Sequence, residues 1–317
     1  MKIVSCFVDP AEIRALAKAG ADELYCGVAQ LPSFGPQESL PDMKALGDAV
    51  RSAHAEGLKI SLAVNSVTLN FDPRSEASMV ELLGEADGLG VDYFIVANPA
   101  MFTLFSRLKR LRAGLHLSSL QPCFNSLTAD FFIRLGIKRI ILPNQLSPYE
   151  AKKLFALCRR KKIETEMFDY RFFGCSYLNG RCHMHRPEYY SATRKYKGGS
   201  MCHPDMGACG MPAPGVINLS PAWKPRLGGI IKRFSERFGC GTTPRIANAA
   251  SFFDFFAGGL GYLKYGIRQD PSAQKFKKVR EMRLMLDLAE ELRACLPPAE
   301  ARRRFIEKMS GWREPKL

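Results

Sequence analysis

Lys2-Ile3-Val4-Ser5-Cys6-Phe7-Val8, then Asp9-Pro10 and an amphipathic run to Ala19, then Gly20-Ala21-Asp22-Glu23-Leu24-Tyr25-Cys26-Gly27-Val28: this opening sets the architecture. An apolar run rich in β-branched residues predicts a strand. Pro10 suits the first turn of a helix and Gly20 stops it, and a second apolar run follows. Two strands joined through a helix lie parallel, so the unit is βαβ. The same alternation continues outward from it. Further strands are expected at Leu58–Asn65, Val91–Ala97, Leu115–Ser119, Lys138–Leu142, Ile163–Phe168 and Leu260–Tyr265. Helices are expected at about Pro41–Ala55, Glu76–Leu89, Pro99–Arg112, Ser126–Leu135, to Lys162 after a Ser147-Pro148-Tyr149-Glu150 capping box, Ala249–Ala257 and Ala273–Cys295, before a basic tail at Arg302–Lys308. Apolar strands such as Tyr93–Ala97 fit burial on both faces. Eight strands, each followed by a helix, predict a (β/α)8 TIM-like barrel, with the 317 residues forming one domain. The rival, an open doubly wound sheet, lacks a Gly-rich nucleotide turn after its first strand.

One stretch breaks the alternation. Phe173 to Cys209 carries Cys175, Cys182, Cys202 and Cys209 with His183, His185 and His203, four of ten cysteines and three of five histidines. It has neither helical nor strand periodicity and reads as a long loop, an insertion over residues 170–245 after the seventh strand. Cys240 follows in another Gly-rich stretch. A long, thiol-dense loop in a compact domain is usually functional. Structural zinc prefers pairs two to four residues apart. The wider gaps here suit a larger iron–sulfur cubane whose irons take thiolates from several directions. The spacing leaves cluster and zinc both open. The three histidines are read as surface or phosphate contacts. Cys6, Cys26, Cys123, Cys158 and Cys295 are read as small hydrophobes, although Cys26 and Cys123 stand at strand carboxyl ends.

Composition narrows the setting. No run of about 18 apolar residues occurs, so no membrane span is expected. The first ten residues lack the build of a signal peptide, which predicts a cytoplasmic protein whose cysteines are ligands or buried thiols. Net charge is +15, unevenly placed. Residues 1–149 hold 14 Lys+Arg against 15 Asp+Glu, and residues 150–317 hold 32 against 16. Such a bias predicts an anionic partner, RNA, a small molecule or a lipid surface, or else a solvated basic face.

Barrel chemistry gathers at strand carboxyl ends. There the sequence places Tyr25, Asn65, His116, Ser118, Gln121, Asn125, Asn144, Gln145, Lys264 and Arg268. The substrate-binding set drawn from them is Tyr25, Asn65, His116, Ser118, Gln121, Asn125, Lys264 and Arg268. No catalytic residue is singled out. No nucleophile elbow and no His-Glu-x-x-His motif occurs.

Gly20-Ala21-Asp22-Glu23-Leu24-Tyr25-Cys26-Gly27, Val64-Asn65, His116-Leu117-Ser118-Ser119-Leu120-Gln121 with Asn125, Arg139-Ile140-Ile141-Leu142, Glu166-Met167-Phe168, Gly174-Cys175 with Gly180-Arg181-Cys182, and Gly199-Ser200-Met201-Cys202 together resemble the collagenase-like peptidase family U32, in order and over most of the chain. In length the chain is similar to the short iron–sulfur members tied to ubiquinone biosynthesis. The resemblance implies a barrel holding a 4Fe-4S cluster on Cys175, Cys182, Cys202 and a later cysteine, with Cys240 fitting better than Cys209. It also implies oxygen-independent hydroxylation of a ubiquinone precursor or of RNA, by an enzyme or subunit paired with a second member of the family. Two departures stand out. Asn144-Gln145 replaces the family's Arg-Glu, and Lys264-Tyr265-Gly266-Ile267-Arg268 lacks the acid of its Lys-Ile-Glu-Gly-Arg. The alternatives are a collagenase-like peptidase and a basic RNA-binding protein stapled by zinc.

Overall fold

The computed structural model describes residues 1–34, 39–67, 73–144, 146–169 and 249–310. Eight parallel strands close into one ring in chain order: β1 (Lys2–Cys6), β2 (Glu23–Cys26), β3 (Lys59–Val64), β4 (Tyr93–Val96), β5 (Gly114–Leu117), β6 (Ile137–Ile141), β7 (Glu164–Phe168) and β8 (Tyr262–Tyr265). β8 returns to β1 with Lys2 beside Tyr262, so the expected barrel is present. Around the ring stand α1 (Ile13–Ala19), α2 (Met43–Ala55), α3 (Pro73–Gly88), α4 (Ala100–Ser106), α5 (Ser126–Arg134), α6 (Ala151–Lys161), α7 (Ala249–Gly258), α8 (Ser272–Cys295) and α9 (Pro298–Ser310).

Local chemistry explains the helix ends. Asp42 caps α2 by accepting from the Ala45 N–H at 2.7 Å, and Asn125 caps α5 by accepting from Thr128 at 2.9 Å. Gly20 closes α1 at φ +102°, a left-handed conformation that side chains resist. Ser147 and Glu150 form the reciprocal box read from the sequence. The Glu150 carboxylate takes the Ser147 N–H at 3.0 Å, and the Ser147 hydroxyl takes the Glu150 N–H at 3.4 Å. The Pro99–Arg112 helix is shorter than expected and ends at Ser106. The segment read as a basic tail is instead the helix α9. It buries Ala301 and Phe305 against the Phe252 and Phe253 rings of α7, and Arg302 pairs with Asp254 at 2.7 Å.

Two layers fill the molecule. Between sheet and helices lies an apolar shell that includes Leu24, Ile60, Leu62, Phe94, Val96, Leu117, Ile140, Met167 and Leu263. Inside the ring the content is polar. Below the barrel, Asp92 accepts from Lys59 at 2.7 Å, from the Ile60 N–H at 2.9 Å and pairs with His54 at 2.9 Å. Burial alone would raise its pKa, but these donors outweigh burial and hold it below the ordinary carboxylate value. A lowered carboxylate stabilises above its unfolded pKa and loses that contribution as pH falls through the folded one. Asp92→Asn is therefore expected to cost about 1–3 kcal/mol near neutral pH, with the gap to the parent closing below about pH 4, in urea unfolding followed against pH.

α8 ties the barrel shut. Lys275 is buried and donates to both carboxylate oxygens of Glu12 at 3.0 and 3.1 Å. The same carboxylate accepts from Ser272 at 2.5 Å and from the Val8 N–H at 3.1 Å. Among the described residues no helix is long and apolar enough to cross a membrane.

Candidate functional site

Hydrogen bonds between strands that are not neighbours must cross the lumen, and the Arg139–Glu23 pair does so. Arg139 of β6 stands at the centre, fully buried. Its guanidinium reaches Glu23 of β2 at 3.0 and 2.9 Å, Glu164 at 2.9 Å and Glu166 of β7 at 2.8 Å. It also lies flat against Tyr262, 3.4 Å from the ring centroid. Tyr262 donates to Glu164 at 2.7 Å, and Ser61 of β3 donates to Glu23 at 2.6 Å. Four strands therefore meet on one guanidinium, and β3 joins them through Glu23. Arg suits this place because its planar fork serves several carboxylate oxygens at once.

Toward the strand carboxyl ends a second cation takes over. Lys264 of β8 pairs with the other Glu166 oxygen at 2.9 Å and stands 3.9 Å over the Tyr25 ring. Tyr25 donates to the Gly266 carbonyl at 3.2 Å, and the Arg268 guanidinium lies 5.2 Å from the same ring. A side chain at Gly266 would collide with Phe168, so the backbone can pass close to the mouth only as glycine.

Glu23 and Glu166 differ in charge preference. Burial raises the Glu23 pKa, Arg139 opposes that rise and Glu166 adds to it, leaving Glu23 above the ordinary value. Glu166 is also buried, but Lys264 and Arg139 outweigh burial and keep it low. Of the two, Glu23 takes a proton first. His116 is held well below its usual pKa, by burial and then by Arg139 and Lys264, so it is neutral at physiological pH. Its ring stacks on Tyr93 at 4.2 Å. Neither ring nitrogen has a hydrogen-bond partner among the described residues, and neither does the buried Asn144 amide. Buried groups of this kind normally meet water or a ligand.

Glu23, His116 and Glu166 offer donor atoms within 4.8 Å of one another. Arg139 and Lys264 already serve both carboxylates, so a divalent cation would have to displace a guanidinium and an ammonium. The lumen carboxylates are already served by two side-chain cations, and their chemistry does not ask for a metal.

The sequence-derived rim set divides on inspection. Tyr25, His116 and Lys264 belong to the lumen. Asn65 donates to Ser118 at 3.3 Å and accepts from the Phe34 N–H at 3.0 Å, tying two βα loops. The Gln121 N–H donates to the Ser118 carbonyl at 3.0 Å. Asn125 faces outward and its side chain serves as the α5 cap. Arg268 adjoins Tyr25. Cys175, Cys182, Cys202, Cys209, Cys240 and Gln145 lie outside the described residues. The segment bearing those cysteines leaves the barrel from the carboxyl end of β7, where Asp169 donates its N–H to the Lys264 carbonyl at 2.9 Å. The buried thiols of the barrel are poor ligands: burial pushes Cys6, Cys26 and Cys123 up to about 12. Rim reasoning passed over Glu23, Arg139 and Glu166. Their signal was ionisable residues inside otherwise apolar strands.

Comparison with known proteins then adds a family. The profile of peptidase family U32 matches residues 9–200. Two curated relatives, both called tRNA hydroxylation protein P, come from Helicobacter pylori strains J99 and 26695. They are 27% and 26% identical over 163 residues, covering 51% of this chain and 37% of theirs. The chain thus spans well under half the length of these relatives. Among solved structures, a U32 peptidase aligns at 18% identity and TM-score 0.39 over 54% of this chain and 70% of its own. An aldo-keto reductase from Bacillus halodurans aligns at 10% identity and TM-score 0.45, over 95% and 86%.

Proposed function

The chain belongs to peptidase family U32, and from that premise we propose that it takes part in hydroxylating RNA, as an enzyme or enzyme subunit with an iron–sulfur centre for electron transfer and an oxygen-atom donor other than molecular oxygen. The observation that carries this reading is the barrel mouth. Lys264, His116 and Asn144 bring a cation, a neutral imidazole and an amide to the carboxyl ends of the strands, and the last two lack partners among the described residues. The two curated relatives, named for tRNA hydroxylation, support RNA over a quinone precursor as the substrate class. So does the +15 charge.

Cys175, Cys182, Cys202 and Cys240 would hold a 4Fe-4S cluster on the segment that begins at the end of β7. Such a centre supplies one-electron transfer. The chain's own residues supply binding and orientation. Lys264, fixed by Glu166 and Tyr25, presents a positive charge to an anionic group. Neutral His116 donates from one ring nitrogen and accepts at the other. Asn144 can do both. Buried Arg139 keeps Glu166 ionised, and ionised Glu166 holds Lys264 in place.

A peptidase reading needs an activated nucleophile or hydrolytic base. Among the described residues His116 has no hydrogen bond to a hydroxyl or carboxylate, which favours the first reading.

Anaerobically purified protein is expected to be brown, with about four irons per chain. Alanine at Cys175, Cys182, Cys202 or Cys240 should each remove most of that iron, and alanine at Cys209 should not. Colourless protein carrying stoichiometric zinc would instead establish the zinc-stapled alternative.

A further inference from the structure

We infer that the outward face of α6, continued by Lys162 and headed by Tyr149, is the docking surface for the phosphate backbone of RNA. The inference rests on the RNA-directed reading above and gives it a location. α6 runs Ala151-Lys152-Lys153-Leu154-Phe155-Ala156-Leu157-Cys158-Arg159-Arg160-Lys161 and contains no acid. Leu154, Phe155, Leu157 and Cys158 are buried against the barrel. Everything on the opposite side is exposed: Lys152, Lys153, Ala156, Arg159, Arg160, Lys161 and, just beyond, Lys162. Lys152, Lys153, Arg159 and Arg160 therefore line about 12 Å of one helix face, the length of a few backbone phosphates, and Lys161 and Lys162 extend the charge past its end.

Elsewhere many of the helix cations are paired with acids. On α9, Arg303 and Arg304 pair with Glu300 and Glu307, and Arg302 pairs with Asp254. On α8, Arg283 pairs with Asp22 and Lys278 with Glu281. On α5, Arg134 pairs with Asp130. The α6 cations form no ion pair with any described residue. Arg159 donates to the Gly258 carbonyl at 3.0 Å, and Lys152 stands 5.1 Å from the Tyr149 ring.

Helix stability accounts for only half of the stripe. Arg159, Arg160 and Lys161 lie in the last turn, where positive charge complements the dipole. Lys152 and Lys153 lie in the first turn, where it opposes the dipole. Those two weaken the helix they stand on, so their reason lies outside it.

The surroundings select the polyanion. Tyr149 is 60% exposed at the head of the stripe, and Phe131 on adjoining α5 is 48% exposed. Exposed aromatic rings beside cations suit unpaired bases flanked by phosphates. Protein interfaces, by contrast, are depleted in lysine, and four of these six cations are lysines. The stripe lies on the outer wall, apart from the lumen groups. It would hold RNA by its backbone and leave base selection to the mouth.

The test is binding, not turnover, with the 317-residue chain, a labelled unmodified tRNA transcript and, separately, phosphatidylglycerol vesicles. Lys153→Glu/Arg160→Glu and the milder Lys153→Gln/Arg160→Gln are compared with Lys18→Glu/Lys44→Glu, which makes the same charge change as the first pair on α1 and α2. Melting curves check that each variant is folded. The α6 pairs should weaken RNA binding about tenfold or more between about 50 and 200 mM salt, and flatten the log–log salt slope by about 1.4–1.8. The α1/α2 pair should change affinity less than about threefold. If wild type binds RNA and the α6 pairs bind as well as it does, or all pairs weaken alike, this surface is wrong and the RNA reading stands. If wild type binds no RNA, whether or not it binds vesicles, both fall.

Discussion

Arg139→Met is expected to remove about 3–5 kcal/mol of stability near neutral pH, the largest single loss in the barrel. The substitution keeps most of the volume and removes the charge on which Glu23, Glu164 and Glu166 converge. Glu166 would keep Lys264, and Glu164 is partly exposed. Glu23, buried on β2, would keep only the Ser61 hydroxyl. The loss should depend on pH in a definite direction. In the variant the Glu23 pKa lies further above its unfolded value, so unfolding releases a proton and stability falls as pH rises. Urea titrations at about pH 5 and pH 8 should show the gap to wild type widening with pH. Adding Glu23→Gln to the variant should recover much of the loss. An Arg139→Met protein as stable as the parent at both pH values would mean that the lumen carboxylates are solvated, and the network would lose its central place.

The second large effect lies outside the lumen. Lys275→Met should cost about 3–5 kcal/mol, because Glu12 would remain buried with only Ser272 and the Val8 N–H as donors. Glu12→Gln/Lys275→Met should be much closer to wild type, since a neutral pair of similar shape carries no stranded charge. The double-mutant cycle, read from urea midpoints, isolates the coupling. Additive losses would show that the two side chains act independently and that α8 is held to the barrel by its apolar face alone.

The barrel was legible because strand and helix periods differ and alternate along nearly the whole chain. Terminal Gly and Pro residues such as Gly20 and Pro10 marked the boundaries to within a few residues. The capping box at Ser147 and Glu150 was readable for the same reason, since its chemistry is local. What escaped notice was non-local. Glu23, Arg139 and Glu166 meet only when the ring closes, and in a linear sequence each resembles a polar residue on a half-exposed strand. α9 was hidden by its own arginines: Ala301 and Phe305 are a sparse apolar signal, and Arg302 finds its partner 48 residues away in Asp254. Asn125 carries a local task that the sequence reading did not assign to it. It stands in the right loop for a ligand, but its side chain has a backbone task at the start of α5. The cysteine block was the loudest compositional feature of the chain, and it lies outside the described residues.

The reach of the lumen contacts bears on how the molecule comes together. Arg139 and Glu23 are 116 positions apart, and Glu166 lies a further 27 along from the arginine. The later strands pair Arg139, Lys264, Glu164 and Glu166 among themselves, whereas Glu23 on β2 finds its cation only in β6. A fragment ending before β6 would leave Glu23 with only the Ser61 hydroxyl. Assembly is thus coupled to completion of the ring, and such long-range pairings are reached slowly. Glu23 gains its cation only when β2 and β6 face one another across the ring, so this buried carboxylate favours the closed barrel over an open sheet.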